Sequence, residues 1–484
     1  MPFEGPGGCP PAAARAIVPG TLTDQLVSPW VILAAGIATV VGLIVVLRVN
    51  AFLALVSAAL LVSLLAPGAA AEKSVRVAVA FGDASARIAI VIGLASVIGK
   101  CMMDSGAADR IVRGFLALLG ERRAATAIMG SGYVLSIPVF FDTVFYLLLP
   151  LARSMTRRTG KHYVKYLLAI AAGGAATHAM VPPTPGPLAA AANLHVDLGT
   201  MILVGVVVAL PSSFVGLLVA GRIDRRMNLE LRPLPGGQTE PEPLPDDQLP
   251  PLLPSLVPIV LPVVLISAST VVSAIRARGT AVPGWLADGA ALAGDANFAL
   301  FVSTLFAMTL LWRQRRTTRD QMAAIVEESL TSAGVIILIT AAGGAFGAML
   351  RAANVGPAVE SLFRQGGDHV GGLSILLLGV AMSVLFKVAQ GSSTVAILTS
   401  SAMIAAMVPD GALAFHPVYL ALAISAASLV GTWMNDSGFW IISKMGGLTE
   451  KETLQSWTVL SASVGVTGVL MTILLATLFP MRLP

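Results

Sequence analysis

Charge is scarce in this sequence. Only 12% of its 484 residues are Asp, Glu, Lys or Arg, whereas 56% are hydrophobic; soluble domains carry roughly twice that share of charge. A water-soluble globule is thereby excluded, because the chain could not cover its own surface with polar groups. Cysteine is nearly absent: Cys9 lies in a tail and Cys101 in an apolar span, which excludes a disulfide framework and leaves no metal-ligand spacing. No GxxxxGK[ST] phosphate loop occurs, so ATP hydrolysis by this chain cannot drive anything. Neither an organic cofactor nor a tightly held metal is expected. Residues 1–25, rich in Pro, Gly and Ala with one Arg15, lack the basic and apolar regions of a cleaved signal; a short disordered tail is expected.

What the chain does have is long apolar runs. Val257 to Ile275, Phe298 to Trp312 with its flank, and Val459 to Pro480 can each cross a hydrocarbon core of about 30 Å as a helix. The 47 Gly and 30 Pro are many for a helical protein and point to close helix contacts and deliberately broken helices, the places where transporters bind. The net charge of +5 resides in short Arg clusters between apolar spans, which reads as membrane topology rather than nucleic-acid binding.

Two membrane halves, 26–221 and 254–484, flank a polar linker at 222–253 that holds Arg222, Arg225, Arg226 and a Pro-rich acidic run. The positive-inside rule places this linker, and the basic loop Trp312 to Arg319, in the cytoplasm; Arg276 and Arg278 count weakly against that parity. The apolar segment at about 124–152 is bordered by Arg clusters on both sides and interrupted at Ser136, Ile137 and Pro138, a pattern that predicts a hairpin entering the membrane and returning. A second hairpin is expected at about 371–407, broken at Gln390 to Thr394. GLASVIGKCMMDSG from Gly93 aligns with GGAFGAMLRAANVG from Gly343, and broken segments follow each hairpin at His178 to Pro187 and Asn435 to Gly438. The expected fold is an all-α polytopic membrane protein with two inverted repeats, about 10–12 transmembrane helices and two re-entrant helical hairpins.

Within a bilayer an ionised side chain costs about 2.5–3.5 kcal/mol at a helix centre, so each buried one needs a reason. Asp142 follows the first break and suits proton exchange or cation binding, or serves as a structural cap. His178 precedes the run Val181 to Pro187, which cannot be regular helix; it can relay protons near neutrality or pack as a neutral core residue. Asn435, Asp436, Ser437 and Gly438 put an amide, a carboxylate and a hydroxyl in one Gly-broken segment. Gly391, Ser392, Ser393 and Thr394 would start the second hairpin's return helix, where free N–H groups suit a carboxylate, or form a small-residue helix contact. Lys387 can pair with a substrate carboxylate or with an aspartate, or snorkel to an interface. Lys100 with Asp104, and Asp109 with Arg113, have the spacing of one-turn ion pairs.

Four motifs together resemble the gluconate permease family: IPVFFD (Ile137 to Asp142), THAMVPPTPGP (Thr177 to Pro187), VAQGSSTVA (Val388 to Ala396) and NDSGFW (Asn435 to Trp440). GKCMMDSGAADRI, MTRRTGKH, GDANFAL and LTEKETLQSWTV extend the likeness from about residue 30 to the C-terminus. The resemblance implies a proton symporter for gluconate or a related hydroxy acid in the bacterial inner membrane, within the wider ion transporter superfamily, with that group's homodimeric scaffold and elevator-like movement. It implies substrate contacts from Ser136, Pro138, Thr177, Thr184, Gly186, Lys387, Gln390, Gly391, Ser392, Ser393, Thr394, Asn435 and Ser437, and proton coupling by Asp142, His178 or Asp436. The sequence departs from the family at Thr184, where His is common, and at Lys387, where Arg is common. Lys lacks the planar fork of Arg and cannot grip a carboxylate bidentately, so a substrate other than gluconate is compatible with the motif.

The expected function is therefore uptake of a small anionic sugar acid with protons, with membrane lipids as surroundings and no nucleic-acid partner. Two competing readings are a Na⁺-coupled carrier of a small carboxylate or an amino acid such as D-serine, and an intramembrane hydrolase using Ser392 or Ser393 with His178. The second fits poorly with duplicated halves, and no enzymatic activity is expected.

Overall fold

A computed structural model describes residues 27–481 except 48, 233–244, 278–279, 281, 356, 359–371, 409–412 and 435. The expected tail at 1–25, most of the polar part of the linker, and Asn435 lie outside the described residues. Among those described there is helix and no strand.

The first half contains α1 (Pro29–Val41), α2 (Ala51–Leu65), α3 (Val75–Ser105), α4 (Ala107–Leu119), α5 (Ala124–Leu135), α6 (Phe141–Thr159), α7 (Tyr163–Met180), α8 (Pro185–Asn193) and α9 (Leu198–Met227). The second half contains α10 (Leu252–Ala277), α11 (Gly284–Ala293), α12 (Ala296–Arg315), α13 (Arg319–Ala352), α14 (Gly372–Gln390), α15 (Ser393–Met407), α16 (Pro417–Ala427), α17 (Ser437–Met445) and α18 (Val459–Leu478). Among the described residues, seven helical runs are long and apolar enough to cross a membrane; α18 begins its run at Glu450.

Local chemistry sets the boundaries. Gly106, left-handed at φ 81°, ends α3 and turns the chain into α4, a conformation that carries no Cβ penalty in glycine. Asp197 and Asp295 accept hydrogen bonds from Thr200 N and Phe298 N and so cap α9 and α12. Thr318 and Gln321 form a capping box at the start of α13.

The packing is that of a protein in lipid. On α9 the inward face carries Gly199, Gly205, Ala209, Ser212, Ser213 and Gly216, whereas Leu203, Val207, Leu210, Phe214 and Leu218 point outward and are each at least 42% exposed. Small residues inside and large apolar ones outside suit a hydrocarbon solvent, where close backbone approach rather than burial of leucine drives association. At the centre, every residue of α7 is buried except Lys165 and His178. The helix α5 runs so close to α7 that a Cβ on Gly173 would stand 2.0 Å from the Met129 carbonyl oxygen.

The basic clusters collect at one end. Arg315 Nε donates to the Asp104 carbonyl at 3.0 Å, Arg113 pairs with Asp246, and Arg232 makes two 2.8 Å bonds to Glu452. By the positive-inside rule this is the end expected on the cytoplasmic side. Lys100 is 3.8 Å from Asp104 as its spacing predicts, but its nearer partner is Glu328 of α13 at 3.1 Å. Ser96 meets Ser329, and a Cβ on Gly344 would meet Ala84, so α3 and α13 run antiparallel along their length.

Substituting Gly173→Ala forces a methyl into a backbone carbonyl and is expected to abolish recovery of monodisperse protein in size-exclusion chromatography. Gly289→Ala on α11, with nothing within 4 Å, is expected to leave the elution profile and thermal unfolding temperature unchanged or slightly raised. Normal behaviour of the Gly173 variant would show that α5 and α7 are not locked.

Candidate functional site

Besides the α7–α8 break at 181–184, three interrupted helices border one cavity. The α5–α6 pair is broken at Ser136 to Phe140, the α14–α15 pair at Gly391 and Ser392, and the segment Ser428 to Asp436 separates α16 from α17. Gly391 takes φ 84° at the second break. Ser392 caps α15 by accepting from Val395 N at 3.3 Å.

A cavity of about 380 Å³ opens where the breaks converge, within the roughly 300–1,000 Å³ usual for small-molecule sites. Its polar lining is Asp142, His178, Ser392, Ser393, Thr394, Asp436 and Ser437; Phe140, Phe141, Trp457 and the α13 residues Ile336 and Ile339 supply the apolar walls. The first residues of α6, α15 and α17 all line it, so three helix N-termini with their positive dipole ends border one space, and at α15 Ser392 already takes one N–H group.

A buried ion pair holds two of those termini together. Lys387, 1% exposed at the end of α14, lies 3.4 Å from Asp436 Oδ1, donates to Ser393 Oγ at 3.0 Å and bonds to the Gly391 carbonyl. Ser393 Oγ in turn donates to the Ser428 carbonyl at 2.9 Å. The lysine thus ties the start of α15 to the segment ahead of α17. Asp142, in the first turn of α6, lines the same cavity as Asp436 and bears the same charge when both are ionised.

Other polar groups at this depth keep unused hydrogen-bonding capacity among the described residues. His178 Nδ1 and Trp457 Nε1 find no partner, although both side chains line the cavity. His178 stands edge-on to Phe140 at 6.2 Å, and Trp457 stacks on Phe141 at 5.6 Å and 14°. Both nitrogens are themselves buried, so it is the rest of each ring that borders the cavity.

Of the residues singled out in the sequence, Asp142, His178, Ser392, Ser393, Thr394, Asp436 and Ser437 are brought together here, with Lys387 and Gly391 directly behind. Others lie elsewhere. Thr177 and Thr184 turn their hydroxyls onto carbonyls of their own chain, Gly173 at 3.3 Å and Val181 at 2.7 Å. Ser136 is fully buried against the α7 backbone at Gly174, its hydroxyl unpartnered among the described residues. Pro138 lines a separate cavity toward the cytoplasmic end. Gly186 allows α8 to approach α15, where a Cβ would stand 2.7 Å from Ile397. Gln390 ends α14, its side chain outside the described residues, as is Asn435. Sequence reasoning missed Trp457, Phe140, Phe141, Ile336 and Ile339. Trp457 sits in the LTEKETLQSWTV motif, which was a usable signal; nothing local marks two isoleucines in an apolar helix.

Comparison with known proteins agrees with this architecture. Residues 28–478 match the family described as GntP family permease. The chain is 32% identical to the inner membrane permease YgbN of Escherichia coli K12, covering 90% of this chain and 96% of the relative. It is 30% identical to a gluconate permease of Pseudomonas aeruginosa, covering 91% and 96%, and 29% identical to an L-idonate transporter of Escherichia coli K12, covering 91% and 98%. In three dimensions it is similar to the YdaH transporter of Alcanivorax borkumensis, with a TM-score of 0.61 and 12% identity over 90% of this chain and 98% of the other. MtrF of Neisseria gonorrhoeae gives 0.59 and 13% over 93% and 98%; at these identities the likeness concerns the fold alone.

Breaking the buried pair tests the geometry directly. Lys387→Met leaves Asp436 charged without its cation and is expected to cost about 3 kcal/mol, read as a fall in the thermal unfolding temperature. The double variant with Asp436→Asn should recover most of it. Equal losses in single and double variants would show that the two side chains are not coupled.

Proposed function

Because the chain belongs to the GntP permease family, a family of multi-pass inner-membrane transporters and not of enzymes, we propose that it takes up gluconate or a related small sugar acid by proton symport. The convergence of three helix N-termini on one hydroxyl-lined cavity carries this reading. An anionic carboxylate is stabilised by helix N-termini and their dipole ends, and the hydroxyls of a sugar acid match Ser392, Thr394 and Ser437 in the cavity lining. The Pseudomonas and Escherichia relatives bear the names gluconate permease and L-idonate transporter.

Electrostatics supports coupling to protons. Lys387 supplies one positive charge, and Asp142 and Asp436 supply two negative ones. With both carboxylates ionised, the cavity already carries an excess negative charge in a low-dielectric setting, where adding an anion is costly. Protonation of one aspartate offsets the incoming charge, so proton and carboxylate enter more favourably together than apart. Asp142 is the better carrier, since Asp436 is held by Lys387. The helix–break–helix pairs α5–α6 and α14–α15 then act as re-entrant hairpins, which move with the substrate relative to the outer helices in an elevator-type cycle. A sodium ion held by the same two aspartates is the competing coupling, and the experiment separates them.

Purified protein in liposomes should accumulate gluconate when the outside is acidified, and a protonophore should abolish the accumulation. Asp142→Asn should lose gradient-driven accumulation while keeping at least half of the wild-type gluconate counterflow. Accumulation that follows the Na⁺ gradient at fixed pH would replace proton by sodium coupling, and failure to transport any sugar acid would overturn the substrate assignment.

A further inference from the structure

A second cavity, of about 330 Å³, lies between α3, the end of α8 and α13. Its polar lining consists of Asp83, Arg87, Asn193, His195, Thr340 and Arg351. It adjoins the candidate site without sharing a residue with it: Ile336 and Ile339 of α13 line the first cavity, and the next residue, Thr340, lines the second. Asn193 Nδ2 donates to Ser401 Oγ at 2.9 Å, which joins the second cavity to α15, the helix whose start forms the central site.

The two ends of the antiparallel α3–α13 pair differ in how their charges are matched, with Arg315 and Lys100 beside Asp104 and Glu328 at one end. At the cytoplasmic end a third cavity, of about 250 Å³, is lined by Lys100, Asp104 and Glu328, with one ammonium at 3.8 and 3.1 Å from two carboxylates. At the other end two guanidiniums share their cavity with one carboxylate, Asp83. Among the described residues neither Arg87 nor Arg351 has a carboxylate within ion-pair distance; Arg87 makes one long bond, 3.5 Å, to the Ala192 carbonyl. The two guanidiniums act on each other as like charges. Such an arrangement gains from an anion that bridges them.

We propose that Arg87 and Arg351 form an external capture site for the substrate carboxylate, occupied before the substrate passes along α13 to the central cavity. The proposal rests on the reading of the protein as an importer of sugar acids. A net positive mouth outside raises the local anion concentration at the entry face. These charges leave the equilibrium accumulation unchanged, since that is set by the coupled gradient. They make the apparent affinity differ between the two faces.

The test is gluconate flux in right-side-out and inside-out membrane vesicles containing the full chain. Arg87→Gln and Arg351→Gln should each raise KM for entry from the periplasmic face about tenfold, with KM from the cytoplasmic face changed less than twofold. Asp83→Asn should lower the periplasmic KM, an opposite change that a misfolded protein cannot mimic. Rising ionic strength should weaken periplasmic affinity in the wild type and do so less in the double arginine variant, while Arg351→Lys should retain most of the affinity. Equal shifts from both faces, an unchanged periplasmic KM in the arginine variants, or a raised one in Asp83→Asn would overturn the capture site while leaving the transport reading intact. Absence of sugar-acid flux in the wild type would overturn both.

Discussion

A backbone N–H or C=O that leaves its helix in the middle of a bilayer has no water to turn to, and each such group left unpaired costs several kcal/mol. This constraint governs where the chain can be interrupted. Three of its breaks, at Ser136 to Phe140, at Gly391 and Ser392, and between α16 and α17, do not scatter over the lipid-facing surface. They meet around one cavity, where side chains and a polar ligand can satisfy what the helices no longer do. The small-residue packing of α5 against α7 and of α8 against α15 follows from the same demand, because broken ends can be brought together only if the helices carrying them approach closely.

In the proposed function, binding and coupling share one set of groups. A helix N-terminus stabilises a carboxylate whether it belongs to substrate or to protein, and here Asp142 and Asp436 already sit at the starts of α6 and α17. An anionic substrate therefore competes with the protein's own carboxylates for the same positive ends. In the proposed symport, neutralising one aspartate with a proton relieves that competition, which is the physical ground for proposing that anion and proton travel together.

Much of this could be read before folding. Pro138 between two Arg-flanked apolar runs announces the first break because charge parity and proline geometry are local properties of the sequence. The Gly391 break was visible for a similar reason, in a cluster of small polar residues inside an apolar stretch. Thr177 and Thr184 show where local reading stops: both sit beside a break, yet their hydroxyls serve carbonyls of their own turn, as threonines in helices commonly do. Lys100 illustrates the complementary failure. Its one-turn partner Asp104 follows from spacing, whereas the closer Glu328 belongs to a helix more than two hundred residues away and becomes a partner only through the antiparallel packing of α3 and α13. Ile336 and Ile339 face the cavity because of that same packing, and no feature of their sequence surroundings distinguishes them from lipid-facing neighbours.

Lysine at position 387 acquires a definite sense from these contacts. A guanidinium presents a planar fork suited to gripping a carboxylate, but an ammonium presents three donors about a point. Lys387 directs its ammonium at the Gly391 carbonyl, the Ser393 hydroxyl and the Asp436 carboxylate. Those three acceptors belong to two different broken helices, and its burial leaves little of it facing the cavity. The residue that the sequence suggests as a substrate ligand is thus spent on holding the starts of α15 and α17 in register. A carboxylate entering the cavity meets the helix ends that Lys387 aligns, and any change in the charge of Asp436 acts on that alignment through the same bond.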